Sequence, residues 1–160
     1  MSDIKLSDKE IAALISEPKV FPVDYDRLFE AKERKNHKER EFTIHRADES
    51  QFKVIFRQSV LNPLDFSLIL GYVPVNSSGL FRLRRYNGKS HEHTNPIEKQ
   101  KFYNFHIHQA TERYQIAGHR EDKYAEPSNE YADIHGALEC FMRDCFVELE
   151  GPQQEKIAFN

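Results

Sequence analysis

Phe42-Thr43-Ile44-His45, a polar break at Ala47 to Ser50, and then Phe52-Lys53-Val54-Ile55-Phe56 place large apolar side chains two residues apart. A period of two sends alternate side chains to opposite faces of an extended chain, so this stretch predicts an antiparallel hairpin with one buried face. Working toward the C-terminus, Asn62-Pro63 breaks the chain, and Phe66 to Tyr72 follows as an apolar strand interrupted by Gly71. Asn76-Ser77-Ser78-Gly79 supplies a turn. Leu80 to Tyr86 is then a strand with Leu80, Arg82, Arg84 and Tyr86 on one side and Phe81, Leu83 and Arg85 on the other. Asn87-Gly88 is a turn signal. After a loop containing Asn95-Pro96 the chain returns as a strand over Phe102 to His108, with a further short strand expected near Arg113 to Ile116 and Pro127 closing the sheet region.

Working toward the N-terminus, Arg27 to Arg40 is rich in alternating charge and poor in apolar residues, which reads as an exposed helix or loop. Ser7-Asp8-Lys9-Glu10 has the pattern of a capping box, with Ile11, Leu14 and Ile15 on one helical face until Pro18. At the other end Asp133 is the expected N-cap of a helix whose Ile134, Ala137, Leu138, Phe141 and Cys145 share a face. The expected architecture is a single α+β domain over residues 1–160. An antiparallel β-sheet meander carries a short N-terminal helix and a C-terminal helix packed on the sheet, with an exposed charged segment at about 27–40 and a tail at about 151–160.

With 39% hydrophobic residues and twelve phenylalanines, the chain has the material for an aromatic core, and its length needs no disulfide or metal staple to bury one. Cys140 and Cys145 stand roughly 140° apart around one helix, which bars a bridge between them. No long apolar run and no secretory pattern opens the chain, so a cytoplasmic protein with no membrane partner is expected. Net charge is −3, yet residues 82–123 hold nine basic and five acidic groups while 124–160 hold two and eight. A positive middle of this kind either is a solvated surface or meets an anion such as phosphate.

Five of the eight histidines, His91, His93, His106, His108 and His119, lie in that middle. In the strand ending at His108, Tyr103, Phe105 and Ile107 alternate with Asn104, His106 and His108, so one face reads as core and the other as a site. Three readings of that site stay open. The imidazoles could be polar residues on a solvated sheet face. They could hold a divalent metal, since His91-x-His93 and His106-x-His108 offer four ring nitrogens, and His106, His108 and Glu112 match the first half of the cupin metal motif. Or they could act without a cofactor, His93, His106, His108 and Glu112 exchanging protons with a ribose hydroxyl and leaving oxygen while arginine or lysine steadies phosphate charge. Arg82, Arg84, Arg85, Asn95, Lys123 and Tyr124 are the candidate substrate contacts in that case.

Leu83-Arg84-Arg85-Tyr86-Asn87-Gly88, His93-Thr94-Asn95-Pro96, Phe105-His106-Ile107-His108 with Glu112, and Asp122-Lys123-Tyr124-Ala125 with Pro127 resemble the core pattern of a family of uncharacterised prokaryotic proteins. The closing helix over 137–145 is also similar, and the likeness spans about residues 50–147. A looser similarity extends to the TumE-type toxins of bacterial toxin–antitoxin pairs. The resemblance implies a small toxin-like, mobile-element or phage-defence protein acting on RNA or other nucleic acid, in the form of a ribonuclease that needs no metal. Its alternative is a non-catalytic module that binds nucleic acid or a cognate protein partner, and a cupin-like metalloprotein stands third. Arg85 stands where the family pattern has an aspartate.

Overall fold

The computed structural model describes residues 5–21, 32–34 and 36–150. Its centre is a seven-stranded antiparallel sheet built from β2 (Lys32–Arg34), β3 (His37–His45), β4 (Gln51–Ser59), β5 (Phe66–Val73), β6 (Phe81–Asn87), β9 (His106–Gln109) and β10 (Ala125–Pro127). The first five follow one another across the sheet as a meander, and β9 and β10 then extend it beyond β6. Between β6 and β9 the chain leaves the sheet to form a small hairpin, β7 (His93–Asn95) with β8 (Gln100–Phe102). A separate parallel pair joins β1 (Lys19–Phe21) to β11 (Val147–Leu149).

The protein is thus α+β, with an N-terminal helix, α1 (Asp8–Ser16), and a C-terminal helix, α3 (Ile134–Asp144), beside the sheet. Both start where a side chain satisfies an orphan backbone N–H. Ser7 and Glu10 form a reciprocal capping box, and Asp133 accepts from the Gly136 N–H at 2.8 Å. The opening pattern over 42–56 pairs as β3 and β4, with Phe52, Val54 and Phe56 pointing into the core against Leu70 and Leu68 of β5. Ile11 and Ile15 of α1 and Ala137, Leu138 and Phe141 of α3 complete the same cluster. The other face of β4, β5, β6 and β9 carries Arg57, Ser67, Asn87 and His106 in one cross-strand row and Ile55, Ile69, Arg85 and His108 in the next.

Several expectations are corrected. Arg113 to Ile116 is not a strand but part of a short helix, α2 (Glu112–Ile116). Thr111 caps it by accepting from the Tyr114 N–H, and Gln115 is drawn inward to bond both the N–H and the carbonyl of Leu6. Within the charged segment, 32–34 and 37–40 belong to strands at one side of the sheet. Residues 27–31 and the tail at 151–160 lie outside the described residues. Asn87-Gly88 makes no hairpin turn. Gly88 instead follows the end of β6 so closely against the Leu64 carbonyl that a Cβ there would sit 1.8 Å from the oxygen. The strand expected over 102–108 is divided, Phe102 ending β8 and His106 opening β9.

The expected alternation along β6 also fails midway. Leu70 pairs with Arg84 but Gly71 pairs with Arg82, so Leu83 is an extra residue in a β-bulge. Phe81, Leu83, Arg84 and Tyr86 consequently share the helix side, where Tyr86 donates to Asp144 at 2.7 Å. Arg82, Arg85 and Asn87 share the opposite side with His106 and His108.

Candidate metal centre

His106 and His108 leave β9 on the face away from the helices, and the β7–β8 hairpin folds over them with His93 at its start. The three rings meet: His93 and His106 are stacked at 5.3 Å between centroids, His93 and His108 meet edge-on at 4.8 Å, and His106 and His108 lie 5.0 Å apart. All three are buried, and each offers one nitrogen within 4.8 Å of the others. Phe102 of β8 covers the group, 5.4 Å from the His93 ring and 5.8 Å from that of His106.

The hydrogen bonds fix the tautomers. His106 Nδ1 donates to the Asn104 carbonyl at 2.8 Å and His108 Nδ1 donates to the Asp122 carbonyl at 2.8 Å, leaving both Nε2 atoms as lone-pair donors. His93 is set by Asn95, whose amide is itself clamped on the sheet edge. Asn95 Nδ2 donates to the Ala125 carbonyl at 2.7 Å, and its Oδ1 accepts from the Ala125 N–H at 2.9 Å. That Oδ1 lies 2.8 Å from His93 Nε2, which must donate, so His93 presents Nδ1. Asn87 is oriented likewise: Ser67 Oγ donates to its Oδ1 at 3.0 Å, which turns Nδ2 toward His106 Nε2 at 3.4 Å.

Burial lowers the proton affinity of all three imidazoles. His106 falls to about 4 and His108 to about 2, each chiefly by loss of solvent, with Arg85 and the neighbouring histidines adding repulsion. His93 is lowered by the same cause, opposed by its bond to Asn95. At neutral pH the cluster is therefore uncharged, the state in which imidazole binds metal. Tetrahedral zinc with Zn–N of about 2.0–2.1 Å needs nitrogens about 3.3 Å apart. The three candidate nitrogens, all within 4.8 Å of one another, stand at most about 1.5 Å wider than that.

Beside the cluster lies a cleft of about 500 Å³, walled by His93, His108, Arg85, Asn87, Asp122 and Lys123, with His91, Ser90, Asp65, Arg57 and Arg120 toward its other sides. Asp122 is fully buried, its carboxylate lying 3.2 Å from Arg85 Nε and 2.9 Å from Arg120 Nε. Burial together with Arg120 and Arg82 pushes the Arg85 guanidinium below its ordinary value, while Asp122 opposes the shift.

The candidate residues thus divide. His93, His106 and His108 come together, and Arg85 and Lys123 line the cleft beside them. Glu112 does not join them: its carboxylate accepts from the Asp8 N–H at 3.2 Å, tying α2 to α1, so the set His106, His108 and Glu112 is not a metal site. His93 takes the third place. Arg84 points to the helix side because of the bulge, and Arg82 pairs with Glu121 at 3.6 Å. Tyr124 donates to Glu126 at 2.9 Å and packs its ring on Tyr114 and Arg113. Asn95 is fully occupied as a clamp. Asp122, Arg120, Arg57 and Asn87 are among the cleft residues that spacing did not single out. Asp122 and Asn87 lie in stretches that carry the sequence resemblance, but Arg57 is 49 residues from His106 and only the sheet register brings it near.

Comparison of the chain with models of known families, with curated proteins and with solved structures finds no match.

Proposed function

We propose that the protein is a metal-dependent hydrolase of phosphate esters, with a divalent ion held by His93 Nδ1, His106 Nε2 and His108 Nε2. One observation carries this reading: three neutral imidazoles converge while the other nitrogen of each is committed to a carbonyl or amide oxygen, the outer arrangement that metal-ligating histidines use. Three protein ligands leave a coordination position for water or substrate. An all-nitrogen donor set suits zinc, iron, nickel or copper better than magnesium or calcium.

Bound in that position, a divalent ion supplies a Lewis acid and makes water a better nucleophile at neutral pH. The chain's own part is to keep the imidazoles deprotonated by burial and to admit substrate through the side walled by Arg85 and Lys123. Proton exchange without a metal fits less well, because at neutral pH neither His106 nor His108 is an imidazolium able to protonate a leaving group, and the Nδ1 proton of each is held by a carbonyl. Nucleic acid in the cytoplasm of a bacterial cell, in a toxin-like setting, is the substrate that the sequence resemblance supports.

The test is metal analysis of freshly purified protein combined with cleavage of RNA and of a chromogenic phosphodiester. About one ion per chain and activity that a chelator removes and zinc restores are expected, with both lost in His106→Ala. Saturating metal at about 100-fold its Kd should also raise stability by about 2.7 kcal/mol. Purified chain that takes up no transition metal, or RNA cleavage that proceeds unchanged in chelator, would sink the reading.

A further inference from the structure

We infer that the cleft takes a phosphate group together with the metal, and that Arg85 couples the two binding events. This rests on the reading above and adds to it the energetic coupling of metal to phosphate and the residue that carries it.

The argument begins with charge. Among the described residues the cleft is lined by four cations, Arg57, Arg85, Arg120 and Lys123, against two carboxylates, Asp65 and Asp122. The two acids are already engaged: Asp122 bridges Arg85 and Arg120, and Asp65 faces Arg57 at 3.8 Å and accepts from Ser90 at 3.4 Å. A divalent ion at three neutral imidazoles brings two more positive charges to a wall that is already positive. Arg85 is the cation most affected, since it is the cross-strand partner of His108 and its side chain is only 20% exposed, so water screens it poorly.

An oxyanion spanning the ion and the guanidinium reverses the balance. Phosphate fits this better than carboxylate, because its several oxygens allow one to reach the ion while others meet the arginine fork, and a monoester brings nearly two negative charges. The buried Arg85 Nε makes no well-aligned hydrogen bond despite its nearness to Asp122, so the guanidinium is held by charge and stays directed along the cleft wall. A cavity of about 500 Å³ has room for a nucleotide-sized group behind that phosphate.

Coupling of this kind is reciprocal: phosphate must tighten the metal by the factor with which metal tightens phosphate. The experiment titrates the full-length chain with micromolar cobalt(II), read by its visible absorption, in matched ionic strength with and without inorganic phosphate. Phosphate should tighten cobalt binding tenfold or more, and Arg85→Gln should bind cobalt yet lose that effect. Arg85→Lys, which keeps the charge in a fold less disturbed, should retain a smaller coupling. Adenosine monophosphate and a dinucleoside phosphate in parallel tell a terminal phosphate from an internal one, and coupling by either sustains the inference. Equal cobalt affinity with every phosphate compound, or full coupling in Arg85→Gln, overturns it while the metal reading stands. No cobalt binding under any condition overturns both.

Discussion

At the scale of single residues, the most consequential side chain outside the cleft is Lys19. The residue is 2% exposed, and its ammonium donates to the carbonyls of Leu14, Ile15 and Glu17 at 2.9, 2.8 and 2.7 Å, and to that of Cys145 at 2.9 Å. These oxygens belong to the ends of α1 and α3, where the last turns lack helical partners and the dipoles favour a cation. One side chain therefore closes two helices at once and ties residues 126 positions apart. Lys19→Met keeps the stem but strands the oxygens, and should cost about 2–4 kcal/mol, read as a lower urea midpoint. A midpoint within error of the parent would show that water serves these carbonyls equally well.

Among the elements, the β7–β8 hairpin does most to assemble the site. It adds no strand to the main sheet, yet it brings His93 onto β9 and is fastened to β10 by the single amide of Asn95. Asn95→Ala should leave the sheet intact and weaken metal binding about 10–100-fold, as loss of an outer hydrogen-bond partner does. Unchanged affinity in a folded variant would remove the clamp from the account. Much of this level was legible in advance. Period-two runs marked β4, β9 and the second half of β3, a continuous apolar run marked β5, and the caps at Ser7 and Asp133 marked both long helices. What was not legible depended on pairing rather than on local pattern. Leu83 is an ordinary strand residue until its neighbours pair with Leu70 and Gly71, and Thr111-Glu112 opens a helix too short to show a period. Both His-x-His pairs were visible as units, but only the folding of the β7–β8 hairpin over β9 decides that His93, and neither His91 nor Glu112, joins His106 and His108.

Across the whole molecule, the sheet separates a helix-covered aromatic core from a polar face, and no described helix is long and apolar enough to cross a membrane. Keeping three imidazoles neutral under that face makes the metal-free protein sensitive to acid. Unfolded histidine protonates near 6.5, whereas His106 waits until about 4 and His108 until about 2. The unfolded chain thus binds more protons below 6.5, so the stability present above that pH is lost as pH falls toward the folded values. Between pH 7 and 5 the loss should be on the order of 2–4 kcal/mol, measured by urea unfolding in chelator. A flat profile, or one equally steep in a folded His108→Asn variant, would contradict the burial described here.

The one-residue irregularity in β6 bears on how such a sheet tolerates insertion and deletion. Counting by parity from Phe81, odd positions would all fall among the phenylalanines and even ones outside; the surplus leucine reverses that count for the rest of the strand. Regular pairing of the same strand without that surplus residue would drive the Arg85 guanidinium into hydrocarbon and turn Tyr86 out toward the imidazoles, whereas excising the leucine leaves every other side chain on its present side. A residue inserted between that leucine and the end of the strand is therefore a more severe lesion than loss of the leucine itself, which removes one buried side chain and leaves the facing of the rest intact.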